Sequence, residues 1–215
     1  MISSILFDLD GTLLDTLQDL TDSVNHALST EGLPSLQPRQ VRRLLGNGYL
    51  YLVTEAAGDA AKSDSNLADR LLKCFQEYYK VHCLDETAPY DGIKEMLQDC
   101  RRRGFQIAVI SNKGQREASR LVERFFGNLV DFTVGESPSI RRKPAPDTLL
   151  QAMKQMNTSP EKTIFVGDSE VDLKAASAAG VNCISCLWGF RDAEELLAAE
   201  AKRLCASPSE LLTLF

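Results

Sequence analysis

Two carboxylates close an apolar run near the amino terminus, where Ile5-Leu6-Phe7 is followed by Asp8, Asp10 and a Gly-Thr turn. Burying a charged carboxylate is costly unless a partner compensates its charge. Similar polar groups follow three later apolar runs, namely Ser111-Asn112, then Lys143, then Asp168 with Asp172 four residues further on. If these runs are parallel strands, their carboxyl ends meet at one edge, and all of these groups share one cleft.

Such a set of groups suits phosphoryl transfer. Clustered carboxylates need raised pKa values or a cation, and hard carboxylate oxygens with room for water are ligands that Mg²⁺ prefers. A serine hydroxyl, backbone N–H groups and a lysine ammonium can hold a phosphoryl group. One carboxylate can attack phosphorus to form an acyl phosphate, and another can protonate the leaving alcohol and later deprotonate water.

Short apolar segments alternating with amphipathic helices must position these groups. Strands are predicted at residues 2–9, 105–110, 130–134, 163–166 and 181–185. Helices are predicted at about 115–126, 146–156 and 169–179. This alternation predicts an α/β fold with a doubly wound, mainly parallel, Rossmann-like sheet that is covered on both faces.

One interval breaks the alternation, because residues 15–85 contain no convincing strand. Apolar residues recur there at helical spacing, for example at Leu17, Leu20, Val24 and Leu28. We therefore expect an all-helical cap domain at 15–85, inserted after the first strand. The α/β core would then comprise residues 1–14 and 86–215. In open α/β sheets, an insert at that point lies over the edge where ligands bind.

Composition and charge exclude several classes of function. The 215 residues carry a formal net charge of −6, which disfavours binding to nucleic acid or to an anionic membrane. No apolar run approaches the ~20 residues that a membrane span requires. The start lacks the basic segment of a signal peptide, so we expect a cytoplasmic protein.

The cysteines and histidines give no sign of a metal site. Cys183-x-x-Cys186 lacks the second pair that a zinc site requires, so we expect the six cysteines to be reduced core thiols. His26 and His82 lie at helical positions without metal-ligand spacing, and we expect structural roles for both.

Four motifs resemble, in order, those of the haloacid dehalogenase superfamily: Asp8-x-Asp10-Gly11-Thr12, Ser111-Asn112, Lys143-Pro144 and Gly167-Asp168-Ser169-x-x-Asp172. The resemblance spans the whole chain. It implies that Asp8 is the nucleophile of a phosphatase and that Asp10 is the general acid and base. The helical interval is similar to the superfamily's all-helical cap, which closes over the site and selects the substrate.

The resemblance also implies the remaining site residues. Mg²⁺ would be held by Asp8, by the backbone carbonyl of Asp10 and by Asp168. The phosphoryl group would be held by Ser111, Asn112 and Lys143. Asp172 would lie behind the metal ligands and orient the metal's water molecules or Lys143.

Several stretches are similar to the phosphoglycolate phosphatase branch of the superfamily: residues 10–28, Gly46-Asn47-Gly48, Ser111-Asn112-Lys113 and Trp188-Gly189-Phe190-Arg191. This similarity implies a small phosphorylated metabolite, 2-phosphoglycolate, as substrate of a monomer or homodimer. Asn47 is the candidate cap residue for the substrate carboxylate.

Alternative functions follow from the same motifs. Asp10 favours phosphoryl transfer over dehalogenation, which has no alkoxide to protonate. Leu20 and Tyr49 stand where the β-phosphoglucomutase branch carries a histidine and an arginine, which argues against a mutase. A pyrophosphatase or a broad-range sugar or nucleotide phosphatase remains an alternative, and so does a non-catalytic binding module.

Overall fold

A computed structural model describes residues 1–214, and for residue 212 only the backbone. The chain forms two compact units. The α/β unit consists of Met1–Asp15 and the chain from Pro89 onward, and the helical unit consists of Thr16–Ala88. Among the described residues, no helix combines the length and the apolar character needed to cross a membrane.

The α/β unit is built around a mainly parallel sheet, as predicted. Its six strands in the described chain are, across the sheet, Phe132–Glu136 (β5), Gln106–Gly114 (β4), Ser4–Phe7 (β1), Thr163–Gly167 (β6), Asn182–Cys186 (β7) and Leu204–Cys205 (β8). The central strand β1 pairs in parallel with β4 and with β6, and in both registers Ser4 and Phe7 are the end residues. The strand order reverses between β1 and β6, which is where open α/β sheets bind ligands.

Two further short strands, Leu14–Asp15 (β2) and Ala88–Pro89 (β3), form a separate two-stranded sheet. Both lie where the chain passes from one unit to the other.

Helices follow the strands of the α/β unit and supply its core. They are Ile93–Arg102 (α6), Gln115–Phe125 (α7), Asp147–Gln155 (α8), Glu170–Ala179 (α9) and Ala193–Ala198 (α10). In one buried cluster, Leu6, Ile110 and Phe165 of the sheet pack with Leu149 of α8 and Ala175 of α9.

The helix α9 shows how the sequence sets an element's ends. Ser169 and Asp172 form a capping box at its start, and Gly180 ends it with a φ of 71°, a conformation that glycine adopts without strain. This helix therefore begins directly after the carboxyl end of β6.

One predicted strand boundary was wrong in an informative way. The polar segment Ser111-Asn112-Lys113 was expected to follow the second strand of the core, but β4 continues through Gly114. The pairing of β4 with β5 shifts register between Ile110 and Gly114. Polar side chains end an apolar pattern without ending the extended backbone, so the pattern alone placed the strand end too early.

The helical unit contains five helices and, between residues 16 and 87, no strand. They are Leu17–Thr30 (α1), Pro38–Leu44 (α2), Tyr49–Ala57 (α3), Asp59–Ser63 (α4) and Leu67–His82 (α5). The long helices α1 and α5 pack together, each with a buried apolar stripe, because their apolar residues recur on one face.

The two histidines belong to this packing. His26 of α1 and His82 of α5 each stack on the Tyr78 ring, with centroids 4.1 Å apart in both pairs. In the described chain, the candidate metal-binding group includes neither histidine.

Candidate active site

A buried lysine lies between two buried carboxylates at the carboxyl end of the sheet. Asp8 directly follows β1, and its backbone N–H donates to the carbonyl of Val166 on β6 at 2.8 Å. Lys143 Nζ lies 2.8 Å from Asp8 Oδ1 and 2.6 Å from Asp172 Oδ1. All three side chains are at least nine-tenths buried. The structure thus brings together the first strand, the loop before α8 and the first turn of α9.

The third buried carboxylate, Asp168, directly follows β6. Its Oδ2 accepts a hydrogen bond from the backbone N–H of Phe190 at 2.7 Å, and its Oδ1 accepts one from Thr12 Oγ1 at 3.3 Å. Oxygen atoms of Asp8, Asp168 and Asp172 lie within 4.8 Å of one another. This set of hard oxygen donors could hold a metal ion.

Burial and mutual repulsion shift the proton affinities of this cluster. Burial, reinforced by Asp172, raises the pKa of Asp8 well above its usual range, and the nearby Lys143 only partly opposes this. Burial and Asp172 likewise raise the pKa of Asp168 to about 7. Three carboxylates share one ammonium here, so full ionisation of the cluster needs a further cation, and a divalent ion fits it.

Lys143 itself stays charged. Burial alone would lower the pKa of its ammonium, but the carboxylates of Asp172 and Asp8 outweigh burial and hold that pKa above its usual value. A lysine that remains protonated can donate to an anionic group and cannot act as a base near neutral pH.

Asn112 acts on the backbone of Lys143. Its Oδ1 accepts from the Lys143 N–H at 2.8 Å, and its Nδ2 donates to the Lys143 carbonyl at 2.7 Å. Its side chain therefore fixes the segment that carries Lys143. That Asn112 also binds the phosphoryl group stays a prediction. Nearby, the buried Ser111 hydroxyl accepts a hydrogen bond from the Lys113 N–H at 3.1 Å.

Asp10 lies apart from the buried cluster. Its side chain is 21% exposed, and its Oδ1 is 3.2 Å from Nζ of Lys113. The candidate metal group does not include the Asp10 carboxylate. Sequence reasoning gave Lys113 no role, although its position two residues after Ser111 on an extended strand puts both side chains on the same side.

The segment Trp188–Arg191 also contributes to the site, and sequence reasoning gave it no role. Trp188 Nε1 donates to the Thr12 carbonyl at 2.9 Å, and Phe190 supplies the N–H that binds Asp168. A Cβ at Gly189 would overlap the Gly11 carbonyl and the Asp168 side chain, so glycine is required for this close approach.

Asn47 belongs to the helical unit. It lies in the turn between α2 and α3, flanked by Gly46 and Gly48, whose φ values are 107° and 83°. The other predicted site residues all lie in the α/β unit.

Known proteins are similar to this chain over most of its length. The family model described as haloacid dehalogenase-like hydrolase matches residues 5–186. A phosphoglycolate phosphatase of Pseudomonas putida is 35% identical, with 98% of this chain and 82% of that protein covered. One from Chromobacterium violaceum is 33% identical, with coverages of 91% and 89%.

A solved structure shares the fold closely. This crystal structure, of a protein from Lactobacillus delbrueckii subsp. bulgaricus provisionally described as a phosphoglycolate phosphatase, superposes with a TM-score of 0.92. It is 31% identical, and the match covers 97% of this chain and 96% of that one.

Proposed function

Because this chain belongs to the haloacid dehalogenase-like hydrolase family, we propose that it is a Mg²⁺-dependent phosphatase of small phosphomonoesters, with 2-phosphoglycolate as its substrate. The observation that carries the proposal is the buried cluster at the ends of β1 and β6. There, the carboxylate of Asp8 lies beside a lysine ammonium and two further carboxylates. This proximity supports the proposed roles of Asp8 as nucleophile, of the lysine as the cation that binds the phosphoryl group, and of the carboxylates as metal ligands.

In the proposed site, Mg²⁺ would be held by Asp8, by the backbone carbonyl of Asp10 and by Asp168. The raised pKa of Asp168 and the proximity of the buried carboxylates support this assignment. When bound, the metal offsets negative charge on the carboxylates and on the phosphoryl oxygens. Phe190 and Thr12 orient Asp168, as partners of metal-binding carboxylates commonly do.

The first half of the reaction uses Asp8 as the nucleophile. An Asp8 oxygen attacks phosphorus, the bond from phosphorus to the leaving oxygen breaks, and an aspartyl phosphate forms. Lys143, the Ser111 hydroxyl and Asn112 are proposed to hold the phosphoryl oxygens, where negative charge is greatest. Asp172 and Asn112 hold Lys143 in position through its ammonium and its backbone.

Asp10 transfers the proton in both halves of the reaction. It protonates the departing alkoxide as the aspartyl phosphate forms, because an alkoxide is a poor leaving group. It then accepts a proton from the water that attacks phosphorus, which releases phosphate and restores the Asp8 carboxylate.

The helical unit is proposed to act as a cap at residues 15–85 that selects the substrate. Phosphoglycolate is small and carries a carboxylate besides its phosphate, and Asn47 is the proposed donor to that carboxylate. We also propose a cytoplasmic location, because all six cysteines are free thiols and such thiols persist in a reducing compartment.

A phosphate-release panel with Mg²⁺ tests the substrate. It would compare 2-phosphoglycolate with pyrophosphate, a hexose phosphate, a nucleoside monophosphate and p-nitrophenyl phosphate, each with and without EDTA. We expect kcat/KM for 2-phosphoglycolate to exceed the others at least about tenfold, and chelation to abolish release. A higher kcat/KM for another compound would contradict the proposed substrate. Phosphate release unaffected by EDTA would contradict the proposed metal requirement.

A further inference from the structure

Lys113 carries a buried ammonium group that the proposed reaction does not use. Its side chain is 0% exposed, and its Nζ lies 3.2 Å from Asp10 Oδ1. Taking an ammonium out of water costs several kcal/mol, so an apolar side chain of similar volume would fill this space at a lower desolvation cost. A lysine here is therefore explained better by its action on Asp10 than by packing.

The two buried lysines of the site contact different carboxylates. Lys143 contacts Asp8 and Asp172, whereas Lys113 contacts Asp10. The first lysine thus lies at the nucleophile, and the second lies at the group that moves the proton.

The backbone around Lys113 is held from both sides, which fixes the direction of its Cα–Cβ bond. On one side, its N–H donates to Ser111 Oγ at 3.1 Å. On the other, a Cβ at Gly135 of β5 would lie 2.9 Å from the Lys113 carbonyl oxygen, so the two strands approach closely there. The Gln115 side chain ties them together, accepting from the Gly135 N–H at 2.7 Å and donating to the Thr133 carbonyl at 3.0 Å.

We propose that Lys113 is a positioning residue that holds Asp10 Oδ1 and thereby presents Oδ2 to the leaving-group oxygen. An ammonium can only donate hydrogen bonds, so the oxygen that it holds cannot carry the proton to be delivered. Lys113 thus determines how well Asp10 assists departure of the alcohol. This inference rests on the proposed function, because it acts through Asp10 as the general acid.

The test varies the leaving group while the phosphoryl group stays the same. Wild-type and Lys113→Met proteins would be assayed with Mg²⁺ on substituted phenyl phosphates, from phenyl to 4-nitrophenyl. We expect kcat/KM for phenyl phosphate to fall about 10- to 100-fold in Lys113→Met, because its leaving group requires a proton. For 4-nitrophenyl phosphate we expect a loss within about threefold, since nitrophenolate leaves without one.

Two further variants guard against a trivial loss. Lys113→Arg keeps the charge but changes the donor geometry. It should therefore also lose more kcat/KM for phenyl phosphate than for 4-nitrophenyl phosphate, to a smaller extent, and this holds even if Lys113→Met does not fold. The double variant Asp10→Asn/Lys113→Met should fall no further than Asp10→Asn alone, because both changes remove the same assistance.

Three results would overturn the inference. The first is an equal loss of kcat/KM across the series, which general damage or weaker phosphate binding would give. The second is no loss of kcat/KM at all, and the third is a further loss in the double variant relative to Asp10→Asn. Since the series contains no carboxylate, a direct contact of Lys113 with the carboxylate of phosphoglycolate cannot imitate the expected pattern. If the wild-type protein hydrolysed no member of the series and no phosphoglycolate, the proposed function itself would fail.

Discussion

At the scale of single residues, the site depends on one lysine ammonium that contacts two buried carboxylates. Lys143 forms ion pairs with both Asp8 and Asp172, and its backbone is fixed by Asn112. The motif spacing predicted that these side chains meet. It could not predict that Asn112 binds the Lys143 backbone, because that contact depends on how far β4 continues.

Replacing Lys143 by methionine should therefore damage both stability and activity. Breaking a buried ion pair leaves uncompensated charge, so we expect the free energy of unfolding to fall by about 3–5 kcal/mol. Turnover should fall to background. Urea denaturation at neutral pH measures the first effect, and phosphate release measures the second.

The control for Lys143→Met is Lys154→Met, which removes an exposed lysine and should change stability by no more than about 0.5 kcal/mol. The double variant Lys143→Met/Asp172→Asn should regain part of the stability and none of the activity. Wild-type stability in Lys143→Met would contradict the account of the buried cluster.

At the scale of elements, the sequence was most informative about type and order, and least about ends and long-range contacts. The alternation of strands and helices predicted the parallel sheet, whereas the two-residue strand β8 is too short to leave a pattern. Asp19 of α1 makes long-range contacts that the sequence did not predict. Its buried carboxylate accepts hydrogen bonds from the Glu86 N–H at 2.9 Å and from the Thr87 N–H and Oγ1 at 3.0 and 2.7 Å.

Removing that carboxylate should loosen the end of the helical unit. Asp19→Ala leaves two backbone N–H groups and a hydroxyl without their acceptor, so we expect a loss of about 3 kcal/mol in the free energy of unfolding. The matched control is Asp22→Ala in the same helix, where an exposed carboxylate accepts a hydrogen bond from the Gln18 side chain. Urea unfolding that gave equal effects for the two variants would show that the Asp19 contacts contribute little.

At the scale of the whole molecule, the clustered carboxylates link folding to pH and, in the proposed site, to the binding of Mg²⁺. The Asp168 pKa of about 7 in the folded protein compares with an ordinary value of 3.8. Between these values the folded metal-free protein binds more protons than the unfolded chain, so its stability falls as pH rises. In the proposed site, Mg²⁺ would compete with those protons and remove the repulsion.

The stabilisation by Mg²⁺ should consequently grow with pH. We expect the increase in Tm caused by millimolar Mg²⁺ to be small at pH 5 and clearly larger at pH 8. Thermal unfolding with Mg²⁺ or EDTA at both values measures this. Asp168→Asn serves as the control and should show little metal-dependent shift at either pH. An equal shift at both values in the wild-type protein would contradict the linkage.

The central claim is that Asp8 attacks phosphorus, and its most direct test is the phosphate release from 2-phosphoglycolate by wild-type and Asp8→Asn proteins with Mg²⁺. The amide is nearly isosteric with the carboxylate but is a poor nucleophile, so the variant should stay folded while turnover falls at least about 10³-fold. Circular dichroism and Tm would confirm that the fold is retained. Wild-type turnover in folded Asp8→Asn would contradict the account.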